Sequence, residues 1–331
     1  MIEIDGSYGE GGGQILRTSI ALSAIIKEEV HIRNIRSNRP HEGLKPQHVR
    51  SVETMALMCG ADVRGLFAGS TEIYFSPSEI RGVDADIHIG TAGSISLLMQ
   101  SIMPMAAYSS GRTKFSITGG TDVTWSPSID YMKNVTLKAL SKMGYKASIR
   151  LIERGYYPKG RGLAEIEIKP SRLKGSDLQK SKSATYGVSH SSNLPEHISQ
   201  RQAFCAKRLL DKNGIEARID TETKNLPSTG SGITLWSGLI GAASIGKKGL
   251  AAEKVGTQAA KMLLEDLLSG ANVDIHLADQ LIPYIGLAGR GSFMVRELTQ
   301  HCLTNIHITE QLLDVRFSIN KTEGFAEISL E

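Results

Sequence analysis

The sequence predicts an α/β (α+β) fold: three repeated β/α units, with a small α/β domain inserted before the third unit. The first observation is a weak internal repeat of about 80 residues, in which two helical patterns precede two alternating strands. The second is that these strand pairs end at Pro77 and Pro170 in the first two units, as strand edges often do. The third is a stretch of about 90 residues that interrupts the repeat with a different pattern.

Apolar periodicity and the positions of glycine and proline define the elements of each unit. The first unit has the strand Ile2–Asp5, helices at 20–26 and 47–58, and strands at 61–64 and 71–75. The second has helices at 95–103 and 128–143 and strands at 146–151 and 164–168. The third has helices at 275–287 and 302–312 and strands at 315–319 and 326–330. Gly60 and Gly144 follow the second helices as predicted C-caps.

The interruption begins with residues 171–183, which are rich in Ser and Lys and read as a linker or exposed loop. It continues with a helix at 198–213, strands at 215–219 and 233–236, and a helix at 249–268. We therefore expect a main body of residues 1–178 and 271–331, and an inserted α/β domain of residues 179–270.

The composition is that of an ordinary globular protein, with 40% hydrophobic and 22% charged residues and a net charge of +4. Three widely spaced cysteines support neither a disulfide framework nor a zinc ribbon and favour a reducing compartment. The longest apolar stretch, residues 97–108, is interrupted by Gln100 and Pro104 and is too short to span a bilayer. We expect a cytoplasmic protein without a membrane partner.

A glycine-rich stretch at residues 7–17 joins the first strand to the first helix. Glycines let the backbone approach a ligand, and a helix N-terminus favours an anion. Glu10 lies among these glycines and would repel an anion unless a cation such as Mg²⁺ or Mn²⁺ lay between them. The alternative is a structural turn with a solvated Glu10. The stretch is neither a P-loop nor a dinucleotide-binding fingerprint.

Three further clusters carry charged or aromatic side chains. Residues 36–48 form a stiff loop whose cations suit phosphate recognition, or else a solvated basic loop. Residues 153–162 place aromatics beside cations, as in base stacking, although a tight turn explains them equally. Near the C-terminus, the spacing of His276, His301 and His307 matches no zinc pattern.

Taken in order, these clusters make the whole chain resemble the RNA 3′-terminal phosphate cyclase family. The resemblance rests on six motifs: Gly9-Glu10-Gly11-Gly12-Gly13-Gln14-Ile15-Leu16-Arg17, Gly43-Leu44 with Gln47-His48, Gly119-Gly120-Thr121-Asp122, Arg154-Gly155-Tyr156-Tyr157-Pro158-Lys159-Gly160, Leu277-Ala278-Asp279-Gln280-Leu281 and Leu303-Thr304-Asn305. It implies three units like the C-terminal domain of translation initiation factor three, with a small α/β domain inserted before the third.

The resemblance also implies an activity. An ATP-dependent enzyme of this kind, with Mg²⁺ or Mn²⁺, converts an RNA 3′-terminal phosphate to a 2′,3′-cyclic phosphodiester through a covalent His–AMP and an RNA-adenylate. By position, His301 is the AMP-accepting nucleophile and Glu10 holds the metal on the ATP phosphates. The matching ATP-site positions are Glu10, Gln100, Pro127, His276, Leu277, Ala278, Asp279 and Gln280, and those for the RNA phosphate are Arg17, Arg36, Arg39 and Gln47.

Two positions depart from the family pattern. His276 stands where some members have Tyr, which leaves open which histidine accepts AMP. Arg161 replaces the middle glycine of a Pro-x-Gly-Gly-Gly motif, so the position is predicted not to need glycine's freedom and to add an RNA contact.

Two other functions compete with the cyclase. One is a non-catalytic, cyclase-like RNA-binding factor in ribosome assembly, which is expected to lack the nucleophile. The other is an enolpyruvyl transferase, which rests on fold analogy alone. The physiological RNA, the oligomeric state, the preferred metal and the role of the inserted domain stay open.

Overall fold

The first unit forms a four-stranded sheet with two helices. The structure, a computed structural model, describes residues 1–180 and 183–331. The elements of this unit are β1 (Ile2–Asp5), α1 (Gly13–Ile26), β2 (Val30–Arg33), α2 (Pro46–Cys59), β3 (Asp62–Arg64) and β4 (Ile73–Ser76). The strand order is β1-β2-β4-β3, with β1 parallel to β2 and the other neighbours antiparallel. Helix α2 ends at Gly60 in the left-handed conformation, as predicted.

The second unit repeats this topology. Its elements are β5 (Asp84–His88), α3 (Ile95–Ala107), β6 (Thr113–Gly119), α4 (Ile129–Tyr131), a π-helical segment Met132–Thr136, α5 (Leu137–Lys142), β7 (Lys146–Glu153) and β8 (Gly162–Lys169). The order β5-β6-β8-β7 has the same parallel and antiparallel neighbours as the first sheet. The single helix predicted at 128–143 is therefore wrong in detail, because a π-helical turn interrupts it.

A short strand, β9 (Ser176–Asp177), precedes a sheet of different topology. Its elements are β10 (Thr185–Ser192), α6 (His197–Lys212), β11 (Ala217–Lys224), β12 (Gly230–Ser237), β13 (Ile240–Ile245) and α7 (Ala252–Leu268), in the strand order β11-β10-β12-β13. Helices α6 and α7 pack on it around a hydrophobic cluster whose members lie between Ala206 and Leu264. This cluster supports the inserted domain of residues 179–270, whose boundaries stay a prediction.

The last unit closes the repeat and reveals the place of β9. Its remaining elements are α8 (Ile275–Ala288), β14 (Gly291–Val295), α9 (Gln300–Leu313), β15 (Ser318–Thr322) and β16 (Phe325–Leu330). Strand β9 pairs in parallel with β14, giving the order β9-β14-β16-β15 and the topology of the first two sheets. The different sheet thus lies between the first strand and the first helix of the third unit, and the predicted α/β class is confirmed.

Short strands account for most differences from the predicted elements. Strand β9 has two residues and lies in the stretch predicted as a linker, of which residues 181 and 182 lie outside the described residues. The strand predicted at 315–319 is observed at Ser318–Thr322, beyond a turn at Asp314 whose φ is 50°. Within the described chain, no helix is long and apolar enough to cross a membrane.

A buried ion network joins the second sheet to the sheet of β10–β13. Nη1 of Arg154 lies 2.7 Å from Oδ2 of Asp130 and 3.3 Å from Oδ2 of Asp122, and Nη2 lies 3.2 Å from Glu222 on β11. Burial alone would raise the pKa of Asp122, but the charges of His190 and Arg154 lower it well below its usual range. Arg154 is therefore a structural cation rather than a nucleic-acid contact.

The turn between β7 and β8 divides into a buried and an exposed part. The Tyr156 hydroxyl hydrogen-bonds Nδ1 of His190 at 2.7 Å, whereas Tyr157 and Lys159 face solvent. Arg161 has a φ of 58°, in the left-handed region. The prediction that this position does not need glycine's freedom is wrong, because an arginine there is strained and a glycine is not.

Replacing Arg154 with Met is expected to destabilise the fold by ~3–5 kcal/mol, because Asp122 and Asp130 lose their buried counter-charge. The matched control is Arg150→Met on β7, whose pair with Glu165 is at the surface, with 70% of the Arg150 side chain exposed. That variant is expected to change stability little. Urea unfolding measures both effects, and equal small effects would show that the buried network is dispensable.

Candidate active site

The glycine-rich turn between β1 and α1 brings backbone and side chains unusually close together. Gly9 has a φ of 58°, and a Cβ at this position would lie 2.7 Å from Oγ1 of Thr304 on α9. Gly12, the N-cap of α1, would place a Cβ 3.4 Å from Nη2 of Arg39. A side chain at Gly9 would push Thr304 of α9 away, whereas a Cβ at Gly12 would just contact Arg39, so it is Gly9 that allows the close approach of α9.

Glu10 lies at the centre of the site. Its Oε2 accepts a hydrogen bond from Nη2 of Arg39 at 2.6 Å and lies 3.6 Å from Nε2 of His301. Its Oε1 accepts no hydrogen bond from any residue that the structure describes. The first unit therefore contributes a carboxylate and a guanidinium, and the third unit an imidazole, to one place. Three predicted site residues, Glu10, Arg39 and His301, are brought together.

His301 is fixed by the contact between α1 and α9. The His301 carbonyl accepts from Nε2 of Gln14 at 2.8 Å, and Thr18 donates to Oδ1 of Asn305 at 2.9 Å. Thr299 caps α9 by accepting from the Cys302 amide. Gln14 and Thr18 are site-forming residues that local sequence patterns did not single out, because their partners are 287 residues away.

The surroundings of His301 favour a neutral imidazole. Burial lowers the pKa of His301 below its ordinary value; Glu10 opposes the shift, and the charges of Arg17 and Arg39 add to it. The side chain nevertheless keeps 43% of its surface exposed. His301 thus combines an unprotonated ring nitrogen at neutral pH with access for a reacting molecule.

The four residues predicted to bind phosphate surround this centre. Arg17 and Gln47 line one small cavity, and Arg39 holds Glu10. Arg36 is buried and donates to the His41 carbonyl. Burial lowers the pKa of Arg17 to about 10, and burial together with Arg39 lowers that of Arg36.

This cluster has more positive charge than its own carboxylate neutralises. The Nε atoms of Arg36 and Arg39 are buried without a hydrogen-bond partner among the described residues. Arg17 forms no ion pair within the described chain. Burying unpaired cations side by side is costly unless an anion joins them, so the arrangement is that of an anion-binding site. His48, which contacts Gly13, stays neutral because burial and these arginines lower its pKa to about 3.

Apart from Glu10, the residues predicted to bind ATP lie in two groups. In the first group, Nε2 of Gln100 on α3 lies 3.8 Å from Sδ of Met132, and the Pro127 carbonyl accepts a hydrogen bond from Oγ of Ser96 at 2.6 Å. The second group is the first turn of α8, where His276 is exposed while Leu277 and Ala278 are fully buried. The whole of each residue is buried, backbone included, so neither presents a surface to a nucleotide in this structure.

The first turn of α8 is tied to the site through Asp279 and Gln280. The Asp279 carbonyl accepts from Asn305, its carboxyl accepts from Oγ1 of Thr299 at 3.1 Å, and Gln280 accepts from Thr136 at 2.9 Å. Burial, together with the charges of Asp274 and Glu10, raises the pKa of Asp279 to about 8. Asp279 holds the N-terminus of α9 in place.

Two groups of side chains can be considered as metal sites: the three histidines near the C-terminus, and a buried group of two aspartates and a histidine. His276, His301 and His307 form no joint donor group within residues 1–180 and 183–331, and His307 instead stacks on Tyr8 with ring centroids 3.8 Å apart. Donor atoms of Asp122, Asp130 and His190 do lie within 4.8 Å of one another. The Arg154 guanidinium pairs with both carboxylates, so a cationic side chain already lies against this cluster.

Asp279→Asn is expected to alter the pH dependence of stability. The folded-state pKa is about 8 and the unfolded value is about 3.9. The stability that protonation of Asp279 contributes is therefore complete below about pH 4 and is lost as the pH rises through 8. Asparagine resembles the protonated carboxyl and does not titrate. Thermal unfolding from about pH 5 to about pH 9 should show the wild type losing stability relative to the variant. Parallel curves would contradict the raised pKa.

Comparison with known proteins identifies the family. The sequence model for "RNA 3'-terminal phosphate cyclase" matches residues 8–319. Proteins of that name from Methanosarcina mazei and Methanococcoides burtonii are 52% and 54% identical, with 100% of both chains covered in each comparison. The Pyrococcus abyssi protein of that name is 46% identical over 98% of this chain and 96% of its own.

Similarity to solved structures is much weaker. The enolpyruvyl transferase NikO from Streptomyces tendae has a TM-score of 0.32 and 14% identity, covering 51% of this chain and 33% of its own. A likeness of this size carries no argument about fold or function. The matches over the whole chain at 52% and 54% identity show the family: this chain belongs to the RNA 3'-terminal phosphate cyclase family.

Proposed function

We propose that the protein converts an RNA 3′-terminal phosphate to a 2′,3′-cyclic phosphodiester at the expense of ATP, through a covalent His301–AMP and an RNA-adenylate. Relatives named RNA 3'-terminal phosphate cyclase support the overall reaction. The observation that carries the covalent route is the accessible His301 imidazole with its lowered pKa, 3.6 Å from Glu10 and beside an arginine cluster.

In the first step, Nε2 of His301 attacks the α-phosphorus of ATP. The new P–N bond forms as the bond from that phosphorus to the bridging oxygen breaks, and pyrophosphate leaves with the electron pair. The imidazole must begin unprotonated at Nε2, which its lowered pKa favours. Arg17 and Arg39 are placed to stabilise the negative charge that develops on the phosphoryl oxygens.

Glu10 is the residue that would hold a divalent cation. One carboxylate, with substrate phosphates and water completing the shell, is a common arrangement for Mg²⁺. The free Oε1 fits this role, since Oε2 already pairs with Arg39. A bound Mg²⁺ or Mn²⁺ would neutralise charge on the ATP phosphates.

The next two steps use the phosphate group of the RNA. An oxygen of the 3′-phosphate attacks the adenylyl phosphorus, and His301 leaves as the P–N bond breaks. The 2′-oxygen then attacks the 3′-phosphorus, losing its proton, and AMP departs as the cyclic phosphodiester closes. This last step is intramolecular and gains a large proximity advantage. We assign the terminal phosphate to Arg17, Arg36, Arg39 and Gln47, whose excess positive charge suits it.

We assign the adenosine part of ATP to Gln100 on α3, to Pro127 before α4, and to residues 276–280 at the start of α8. Asp279 reaches His301's helix through its contacts with Thr299 and Asn305, which supports a nucleotide site next to the nucleophile.

The non-catalytic alternative, an RNA-binding factor in ribosome assembly, is disfavoured by the same observation. A scaffold needs neither a nucleophile nor a carboxylate beside it. The presence of His301 and Glu10 3.6 Å apart therefore supports the enzyme.

The position of AMP on the protein tests the covalent route. His301→Ala is expected to abolish labelling by ATP radioactive in the α-phosphate, because the nucleophile is gone. His276→Ala is the matched control, a second exposed histidine nearby, and should only weaken labelling. Acid lability and alkali stability of the label, with peptide mapping, identify a phosphoramidate. Label that survives in His301→Ala and vanishes in His276→Ala would reverse the assignment.

The groups on the RNA end separate the chemical steps. An oligonucleotide with a 2′-deoxy 3′-phosphate should accept AMP and then stop as the adenylated end, because it lacks the internal nucleophile. A ribose 3′-phosphate should give the cyclic product, and a 3′-hydroxyl end should accept nothing. Gel analysis with AMP-charged enzyme distinguishes these products. Equal adenylation of the 3′-hydroxyl end would contradict the order of steps.

A further inference from the structure

Two exposed residues outside the helix caps, Trp125 and Arg161, have backbone conformations that their residue types disfavour. Trp125 has a φ of 67° and is 97% exposed, and Arg161 has a φ of 58° and is exposed. A positive φ is rare for a bulky residue, and glycine or asparagine would relieve the strain. Neither side chain packs in the core, so burial of apolar surface does not offset the cost of the strained backbone. Strain at exposed side chains is typical of residues kept for a ligand.

The two loops that carry these residues are held together by hydrogen bonds. The amides of Thr121 and Asp122 donate to the Gly155 carbonyl at 2.9 and 3.2 Å. The Gly160 amide donates to the Tyr156 carbonyl at 2.7 Å. On the other side of Trp125, the Pro127 carbonyl accepts from Ser96. Trp125 and Arg161 therefore project from a braced support rather than from a free loop.

This support adjoins the cavity assigned to the terminal phosphate. A Cβ on Gly160 would lie 2.9 Å from Cα of Ala92, and a Cβ on Gly93 would lie 3.3 Å from Cβ of Gln47. Gln47 and Ser94 line the cavity that also contains Arg17. The two loops therefore lie next to the opening of the cavity that contains Arg17 and Gln47.

The chemistry of the exposed side chains on these loops is that of a single-stranded nucleic-acid surface. Tyr157 is 76% exposed beside Lys159, and Trp125 and Arg161 add a second aromatic ring and a second cation. Neither Lys159 nor Arg161 forms an ion pair with another described residue. Flat aromatic faces stack on any base, and unpaired cations bind the phosphates between bases.

We propose that Trp125, Tyr157, Lys159 and Arg161 form a second RNA-binding surface, here called the rim surface. It binds the nucleotides that precede the 3′-terminal nucleotide, by base stacking and by contacts to their phosphates. The proposal rests on the proposed function in one respect: the RNA 3′-phosphate must enter the cavity of Arg17 and Gln47. The ligand is single-stranded RNA, because stacking requires unpaired bases.

Fluorescence provides a direct test, since the chain has two tryptophans. In a Trp236→Phe variant, Trp125 is the sole reporter. A 3′-phosphorylated oligoribonucleotide of about six nucleotides should quench it through stacking. A nucleoside 3′-phosphate at saturating concentration should leave it unchanged, because it lacks the preceding bases. Equal effects of both ligands, or no effect of the oligonucleotide under conditions where it binds, would overturn the proposal.

Affinity for the same oligonucleotide is the second measurement. Trp125→Ala should weaken binding about tenfold, and Arg161→Gly severalfold, in fluorescence anisotropy with a labelled oligonucleotide. Arg161→Gly should also keep or raise the melting temperature, since it removes the strained φ. The matched control is Phe204→Ala, an aromatic residue 64% exposed on α6, which should bind RNA as the wild type does.

These outcomes are separate from those of the proposed function. Formation of His301–AMP requires no RNA, so Trp125→Ala and Arg161→Gly should be charged by ATP at the wild-type rate. Slower charging of Trp125→Ala at limiting ATP would assign Trp125 to the nucleotide site and overturn the proposal. If the wild type is never charged, the covalent route fails while the binding measurements still decide the rim surface. Wild-type affinity in both variants would refute the rim surface alone.

Discussion

The contact between α1 and α9 is the interaction on which the active site depends. Gln14 donates to the His301 carbonyl and Thr18 donates to Asn305, so helices 287 residues apart in sequence are locked in register. This contact places the glycine-rich turn under His301 and brings Glu10 to 3.6 Å from its ring. It joins the two outer units of the repeat, because α1 of the first unit packs against α9 of the third.

Charge balance gives the site its chemical character. Of Arg17, Arg36 and Arg39, only Arg39 forms an ion pair within the described chain, with Glu10. The Nε atoms of Arg36 and Arg39 are buried without hydrogen-bond partners among the described residues. That imbalance is costly in the isolated protein and favourable once phosphate groups bind. Arg17 and Arg39 also help to keep His301 neutral, so two members of the cluster both attract the phosphates and prepare the nucleophile. By contrast, the Arg154 guanidinium is paired with Asp122, Asp130 and Glu222 and serves the joint between two sheets.

The class of the fold could be predicted because it rests on local signals: helix periodicity located α2, α3 and α9, and Gly60 marked the end of α2. The site residues were predicted from the resemblance to a known family, and Glu10, Arg39 and His301 lie close together in the structure. Strand β9 was missed because two residues carry no periodicity and its partner β14 lies beyond the interruption. The roles of Arg154 and Gln14 depend on partners distant in sequence, and the strain at Arg161 depends on a φ value that residue type alone would not predict.

The most direct test of the account is a crystal structure of the protein after incubation with ATP and Mg²⁺. The account predicts continuous electron density between Nε2 of His301 and the phosphorus of AMP, with the adenosine lying towards α8 and a free anion site at Arg17 and Gln47. It is contradicted if AMP is joined to another residue, or if ATP and the metal ion are bound at Glu10 with the nucleotide intact and His301 turned away.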